Sequence, residues 1–103
     1  MNEKIEVYWT AQAKSDLKYI FEWFKENVKP VEIATKIRNS IVAKSKDIHY
    51  VEQYQVDEFL GEPFRKMIEG NYKIIYEVVN PKKIKIVIIF DTRQNPIKLK
   101  RKK

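Results

Sequence analysis

The chain has 103 residues, of which 44% are hydrophobic and 13% aromatic, enough for one domain with a single core and too many for an intrinsically disordered chain. It contains no cysteine, one histidine and two glycines. This composition excludes disulfides and argues against zinc sites and glycine-rich phosphate loops, so we expect no metal and no cofactor. The N-terminus has no apolar signal region, and the longest apolar run, residues 86–90, is too short to span a bilayer. We therefore expect a cytoplasmic protein without a membrane partner.

Charge is distributed unevenly along the chain. Residues 1–62 contain 9 Lys and Arg against 11 Asp and Glu, a net charge of −2, whereas residues 63–103 contain 12 against 3, a net charge of +9. The overall charge is +7. Because clustered Lys and Arg attract phosphate, the second part of the chain predicts a polyanionic partner, with RNA as the first candidate.

The first part of the chain predicts a strand followed by a helix. Residues 4–9 alternate between polar and apolar side chains, which is typical of a short, half-buried strand. Thr10 offers a side-chain oxygen as the N-cap of a helix that begins at Ala11. The apolar residues of this helix recur at spacings of three and four and form one stripe: Ala13, Leu17, Ile20, Phe21, Phe24 and Val28.

Pro30 separates this helix from a second one. Proline suits the first turn of a helix and is disfavoured inside it. A second helix is therefore predicted over residues 31–47, where apolar residues recur about every four positions. A connection this short makes the two helices an antiparallel hairpin.

The second part of the chain predicts three strands joined by tight turns. Residues 49–62 predict a loop that includes at most a short strand. Residues 64–68, 72–79 and 84–90 are rich in β-branched and aromatic side chains, and Gly70-Asn71 and Asn80-Pro81 are turn signals between them. The order is β-α-α-β-β-β, which predicts an α+β fold with a helical hairpin packed on one face of a curved, mainly antiparallel sheet. Residues 1–97 are expected to form this single domain, and residues 98–103 a basic tail.

Two arginines flank the three predicted strands. Arg65 lies near the start of the first strand and Arg93 just after the last. We expect their guanidinium groups to meet at one end of the sheet on a single phosphate, because the planar fork of arginine binds two phosphate oxygens at once. Tyr72 and Tyr76 are candidates for stacking on a base or donating a proton. The remaining candidate site residues are the lysines Lys66, Lys73 and Lys85, which would line the approach, and Gln94, which would bind substrate.

Each of these residues also has a structural alternative. The arginines can pair at the surface with Glu69, Glu77 or Asp91, and the two tyrosines share a face of their strand that is better explained by packing. The adjacent acids Asp57 and Glu58 lie in the predicted loop, without the apolar surroundings that raise the pKa of a catalytic carboxyl group.

The chemistry that best fits the candidate site is metal-independent RNA cleavage. In this reaction the 2′-hydroxyl of the substrate attacks the neighbouring phosphate, and the protein supplies a base, an acid and cations for the developing charge. A lysine among other cations has a lowered pKa and can act as the base. Lys73 is our candidate for that role, beside the catalytic candidates Arg65 and Arg93.

Three segments of the chain resemble the RelE/ParE superfamily of bacterial type II toxins. They are VYWTAQAKSDLKYI near the N-terminus, the arginine that precedes GNYKIIYEV, and IVIIFDTRQNP. The resemblance covers nearly the whole chain, and the last two segments are the more specific. It implies the small β-α-α-β-β-β fold of that superfamily and a growth-inhibiting toxin held inactive by a cognate antitoxin, as a hetero-oligomer. By position, Arg65 matches the arginine before the family's hairpin, and Arg93 the arginine after its last core strand.

The resemblance leaves the target of the toxin open. RelE-like members cleave mRNA on the ribosome with sheet Arg and Lys residues and a C-terminal acid/base residue, often tyrosine, whereas ParE-like members poison DNA gyrase. No Tyr or His follows Arg93 in this chain, so the general acid is unassigned. We expect a toxin, with the ribosome-dependent mRNA endonuclease slightly favoured over the gyrase inhibitor. A catalytically inactive nucleic-acid-binding module is the third alternative. The antitoxin is expected to use an acidic or amphipathic segment that folds over the sheet or the helical hairpin.

Overall fold

The computed structural model describes residues 4–93 of the chain. The elements in chain order are β1 (Glu6–Trp9), α1 (Ala11–Asn27), α2 (Val31–Ser45), β2 (Phe64–Glu69), β3 (Tyr72–Asn80) and β4 (Lys83–Asp91). This order confirms the predicted α+β fold. The predicted basic tail, residues 98–103, lies outside the described residues.

Local sequence signals determine where the helices begin and end. The Thr10 hydroxyl accepts a hydrogen bond from the Ala13 backbone N–H at 3.1 Å, which confirms the predicted N-cap of α1. Pro30 is the N-cap residue of α2, and that helix ends at Ser45, two residues earlier than predicted. Within residues 4–93, neither helix is long and apolar enough to cross a membrane.

The four strands form one mixed sheet in the order β1-β4-β3-β2. β1 runs parallel to β4, whereas the β4–β3 and β3–β2 pairs are antiparallel. The turn between β2 and β3 requires Gly70, whose φ of +58° lies in the left-handed region. In the next turn, the Asn80 side chain accepts a hydrogen bond from the Lys82 backbone N–H at 2.8 Å.

Two separate groups of apolar side chains cover the two faces of the sheet. On one face, here called the helix face, residues such as Ile74 and Tyr76 pack against α1 and α2. On the opposite face, the loop face, Leu60 from the segment before β2 packs on a smaller cluster. The helix-face strand residues are Met67, Tyr72, Ile74, Tyr76, Ile84, Ile86 and Ile89, and the loop-face residues are Phe64, Ile75, Val87, Ile88 and Phe90.

Between Ile86 and Ile88, β4 contains one extra residue relative to β3. Ile75 is opposite Ile88, but the next residue of β3, Tyr76, is opposite Ile86, so Val87 forms a β-bulge. The Thr10 hydroxyl donates a hydrogen bond to the Val87 carbonyl at 3.4 Å. Two residues farther along, the carboxylate of Asp16 accepts the backbone N–H of Ile89 at 3.0 Å. Side chains at the start of α1 therefore bind the β4 backbone beyond the end of β1.

Candidate functional site

The guanidinium groups of Arg65 and Arg93 lie at opposite ends of the sheet. Arg65 is opposite Tyr76, whereas Arg93 follows Asp91, which is opposite Tyr72. These two tyrosines are four residues apart on β3, about 13 Å at roughly 3.3 Å per residue. The expectation that both guanidinium groups meet on one phosphate is therefore wrong. Its error is topological: β2 and β4 both run antiparallel to β3, so the start of β2 and the end of β4 cannot share an end of the sheet.

The candidate residues also divide between the two faces of the sheet. Residues directly opposite each other on neighbouring strands share a face. Arg65 therefore lies on the helix face with Tyr76, whereas Lys66 lies on the loop face opposite Ile75. The other two lysines are also on the loop face, with Lys73 opposite Phe90 and Lys85 opposite Glu77. The expected lysine-lined approach to the two arginines is absent from this arrangement, and Gln94 lies outside the described residues.

Arg65 holds the segment that follows α2. Its Nη1 donates hydrogen bonds to the carbonyl oxygens of Tyr54, at 2.7 Å, and Glu52, at 3.4 Å. On the neighbouring strand, the Tyr76 hydroxyl donates to the carbonyl of Val51 at 2.8 Å. Burial raises the pKa of Tyr76, which is consistent with a packing role rather than proton donation. Arg65 and Tyr76 together fix residues 51–54 against the helix face.

Lys73 lies between two carboxylates, one of which, Glu58, also binds Lys66. Its Nζ is 2.8 Å from Oδ1 of Asp57 and 3.5 Å from Oε2 of Glu58. The second oxygen of Asp57 accepts the backbone N–H groups of Phe59, at 3.0 Å, and Leu60, at 2.8 Å. The two carboxylates offset the purely cationic surroundings that the sequence suggested for a lysine base at Lys73.

Asp57 has a structural role that was not predicted from the sequence. This residue is fully buried, contrary to the expectation that it lacks apolar surroundings, and it anchors the turn at residues 57–60. An aspartate that precedes a turn and accepts N–H groups two and three residues later is a common turn anchor, and this was the available sequence signal. The adjacent Glu58 stays exposed, and its hydrogen bond from Lys66 lowers its pKa to about 2.

Arg93 pairs with Asp91, one of the surface ion pairs predicted as an alternative to phosphate binding. Its Nε is 2.9 Å from Oδ1 and its Nη2 is 2.8 Å from Oδ2 of that carboxylate. The pairing lowers the pKa of Asp91 and raises the pKa of Arg93. Tyr72 lies next to this pair, and burial together with the Asp91 charge raises its pKa. The two predicted site residues Tyr72 and Arg93 are thus brought together, but as part of a neutralised cluster.

A groove of about 720 Å³ lies beside the Arg93–Asp91 pair, between α1 and the end of β4. Its α1 wall carries the exposed aromatic residues Tyr19 and Trp23. The Trp23 ring meets the neighbouring Phe24 ring edge-on, with 5.1 Å between centroids. The groove is therefore lined by aromatic surface, with one ion pair at its rim.

Every candidate cation within residues 4–93 has a partner inside the protein. Arg65 binds carbonyl oxygens, and the other four bind carboxylates: Lys66 with Glu58, Lys73 with Asp57, Lys85 with Glu77, and Arg93 with Asp91. Over the same residues, no group of three or more His, Cys, Asp or Glu side chains is arranged to hold a metal ion. Two guanidinium groups converging on one phosphate, as the cleavage hypothesis requires, are not found in this arrangement.

Comparison with known protein families identifies the family of this chain. The model of the ParE toxin of type II toxin–antitoxin systems, parDE, matches residues 7–96. The chain belongs to the ParE toxin family. It is therefore the toxin component of a type II system, which confirms the resemblance to the RelE/ParE superfamily, and this membership implies a cognate antitoxin.

The fold of this ParE-family toxin is also found in a solved structure. A chain described as the chromosomal ParDE toxin–antitoxin system from P. aeruginosa matches it with a TM-score of 0.70 and 24% sequence identity, covering 85% of this chain and 96% of that chain. At this identity the likeness concerns the fold alone. No curated protein sequence matches the chain.

Proposed function

We propose that this toxin stops growth by inhibiting DNA gyrase, as ParE-like proteins do, and not by cutting mRNA. The observation that carries the proposal is the placement of Arg65 and Arg93 at opposite ends of β3. Metal-independent RNA cleavage needs a base, an acid and cations around one phosphate. Here the β3 residues opposite Arg65 and opposite Asp91, the partner of Arg93, are about 13 Å apart along the strand, and the Lys73 ammonium group is held by Asp57 on the other face. Membership of the ParE family supports the gyrase target independently of this geometry.

The proposal includes a cognate antitoxin that covers the groove between α1 and β4. Large exposed aromatic residues around a concave surface, here Tyr19 and Trp23, mark sites of protein interaction. The net charge of +7 favours an acidic partner. An antitoxin segment that folds on binding would bury both aromatic side chains and neutralise part of this charge. Because gyrase and the antitoxin are both cytoplasmic, the toxin would act in the cytoplasm.

Expression of the chain without its antitoxin tests the gyrase target. We expect growth arrest, DNA breaks with gyrase covalently attached, and mRNA 5′ ends that stay where they are in uninduced cells. Co-expression of the cognate antitoxin should restore growth.

Two other outcomes would contradict the gyrase target. Ribosome-phased mRNA cuts without gyrase-linked breaks would instead support the RelE-like endonuclease, and loss of these cuts in Arg93→Ala would assign that residue to its site. Normal growth with a chain that is folded by circular dichroism would support the inactive nucleic-acid-binding module.

A further inference from the structure

The loop face has an exposed region along β1, which is the edge strand at the opposite edge of the sheet from β2. In the parallel pairing of β1 with β4, Tyr8 lies opposite Lys85, and Glu6 lies opposite Lys83. The Tyr8 side chain is 52% exposed. Leu60 packs on the cluster of Ile75, Ile88 and Phe90, of which Tyr8 is not a member. We call the region formed by Tyr8, Lys83 and Lys85, which also carries the exposed carboxylate of Glu6, the Tyr8 surface.

The two lysines of the Tyr8 surface are only weakly neutralised. Lys83 Nζ is 4.0 Å from Glu6, and Lys85 Nζ is 3.7 Å from Glu77. The lysine side chains are 34% and 40% exposed. Long ion pairs between exposed groups are weak and are screened by salt, so these ammonium groups can exchange their partners for phosphate oxygens. Lys73, bound at 2.8 Å to a buried carboxylate, is not free to do so.

Tyr8 adds an aromatic ring to this pair of cations. The Nζ of Lys83 lies 5.7 Å from the centre of the Tyr8 ring. An exposed aromatic side chain flanked by lysines on a sheet is a combination that binds nucleic acids, because the cations contact phosphates while the ring packs on a sugar or base. The Tyr8 surface has both parts of this combination on adjacent strands.

We propose that the Tyr8 surface binds the DNA on which gyrase acts, with Lys83 and Lys85 on neighbouring phosphates and Tyr8 against the adjacent sugar or base. The choice of DNA rests on the proposed function, whereas the binding itself rests on the exposed ring and the two lysines. Contact with DNA at this surface would help to retain the toxin on a gyrase–DNA complex.

Fluorescence anisotropy of the full chain with labelled duplex DNA, over a series of salt concentrations, tests the proposal. The double variant Lys83→Gln/Lys85→Gln should reduce the slope of log K against log salt by roughly 2, because each lost phosphate contact removes about 0.9. The matched control Lys14→Gln/Lys18→Gln changes the net charge equally on the exposed side of α1 and should leave the slope unchanged. Tyr8→Ala should weaken binding without changing the slope, because the ring contacts the DNA but carries no charge.

Two results of the binding assay would overturn the proposal. Equal effects of the two double variants would show that overall charge, and not the Tyr8 surface, determines binding. Tighter binding to RNA than to DNA of the same sequence would show that the nucleic acid was wrongly assigned. Thermal unfolding of each variant establishes that only folded proteins are compared.

Growth assays separate this proposal from the proposed function. Gyrase-linked breaks in cells, without DNA binding that depends on the Tyr8 surface, would reject the surface and retain the gyrase target. Surface-dependent DNA binding without gyrase-linked breaks would reject the gyrase target and retain a DNA-binding surface.

Discussion

The ion pair between Lys73 and Asp57 gives a quantitative test of the described fold. Lys73→Met removes the ammonium group with little change in side-chain length and leaves the carboxylate of Asp57 fully buried, with two backbone N–H groups as its remaining partners. Removing one partner of a buried ion pair costs about 3–5 kcal/mol, because the remaining charge has lost its counter-ion away from water. The Lys73 side chain is still slightly exposed, so we expect about 3 kcal/mol, a large part of the roughly 5–15 kcal/mol that stabilises a typical domain.

Urea unfolding followed by tryptophan fluorescence measures this loss. Adding Asp57→Asn to Lys73→Met removes the stranded charge and keeps an oxygen for the turn, so the double variant should recover about 1–3 kcal/mol of the loss. Lys85→Met is the matched control, because its ion pair with Glu77 is exposed and should contribute less than about 1 kcal/mol. If Lys73→Met costs no more than Lys85→Met, the pair is not desolvated and the reasoning fails.

Three further predictions concern single side chains. Asp16→Ala should destabilise the fold by about 1–3 kcal/mol in urea unfolding, because the Ile89 N–H loses its acceptor, whereas Asp16→Asn keeps an acceptor and should cost less; equal losses would refute this. The pKa of Glu58 is lowered from 4.5 to about 2, so its stabilising effect is present above pH 4.5 and is lost as the pH falls toward 2. Because this side chain is 62% exposed, the effect should stay below about 1 kcal/mol, and Glu58→Gln should flatten that part of the stability curve; an unaltered curve would contradict the assignment. The pKa of Tyr72 is raised above its ordinary value of 10.0, so its contribution is present below pH 10.0 and is lost as the pH rises through the folded-state pKa. Tyr72→Phe should therefore remove a late-titrating component from the phenolate absorbance, and a spectrum that loses only an early component would disprove this.

The fold was predictable from the sequence because its signals are local. The N-cap at Thr10, the proline between the helices and the turn at Gly70 each depend on a few neighbouring residues. The alternation of β1 and the apolar stripe of α1 also identified the surfaces that pack on the core. Each element therefore lies within two residues of its predicted bounds at either end.

The candidate site was predicted less well, partly because the prediction did not apply the alternation of side chains along a strand. Successive side chains of a strand point to opposite faces, so Arg65 and Lys66 cannot line one site, and neither can Tyr72 and Lys73. Grouping these residues by charge alone ignored this alternation. The burial of Asp57 is a different case, because it depends on a contact with a lysine 16 residues away. A local pattern does not contain that information.

The bulge at Val87 determines which face of the sheet the residues at the end of β4 occupy. Before Val87, the even-numbered Ile84 and Ile86 point toward the helices; after it, the odd-numbered Ile89 and Asp91 do. The extra residue thus changes whether the even-numbered or the odd-numbered residues of β4 face the helices. The sequence does not reveal this change, because residues 86–90 are all apolar. A homologue lacking this one residue would keep the same fold. It would also keep the counterpart of Asp91 on the helix face, because Ile86 and Ile88 would still be opposite Tyr76 and Ile75. If Val87 were instead paired regularly, without a bulge, Asp91 and the arginine bound to it would face the opposite surface, so the bulge allows the strand to gain a residue without changing what this side of the toxin presents to a partner.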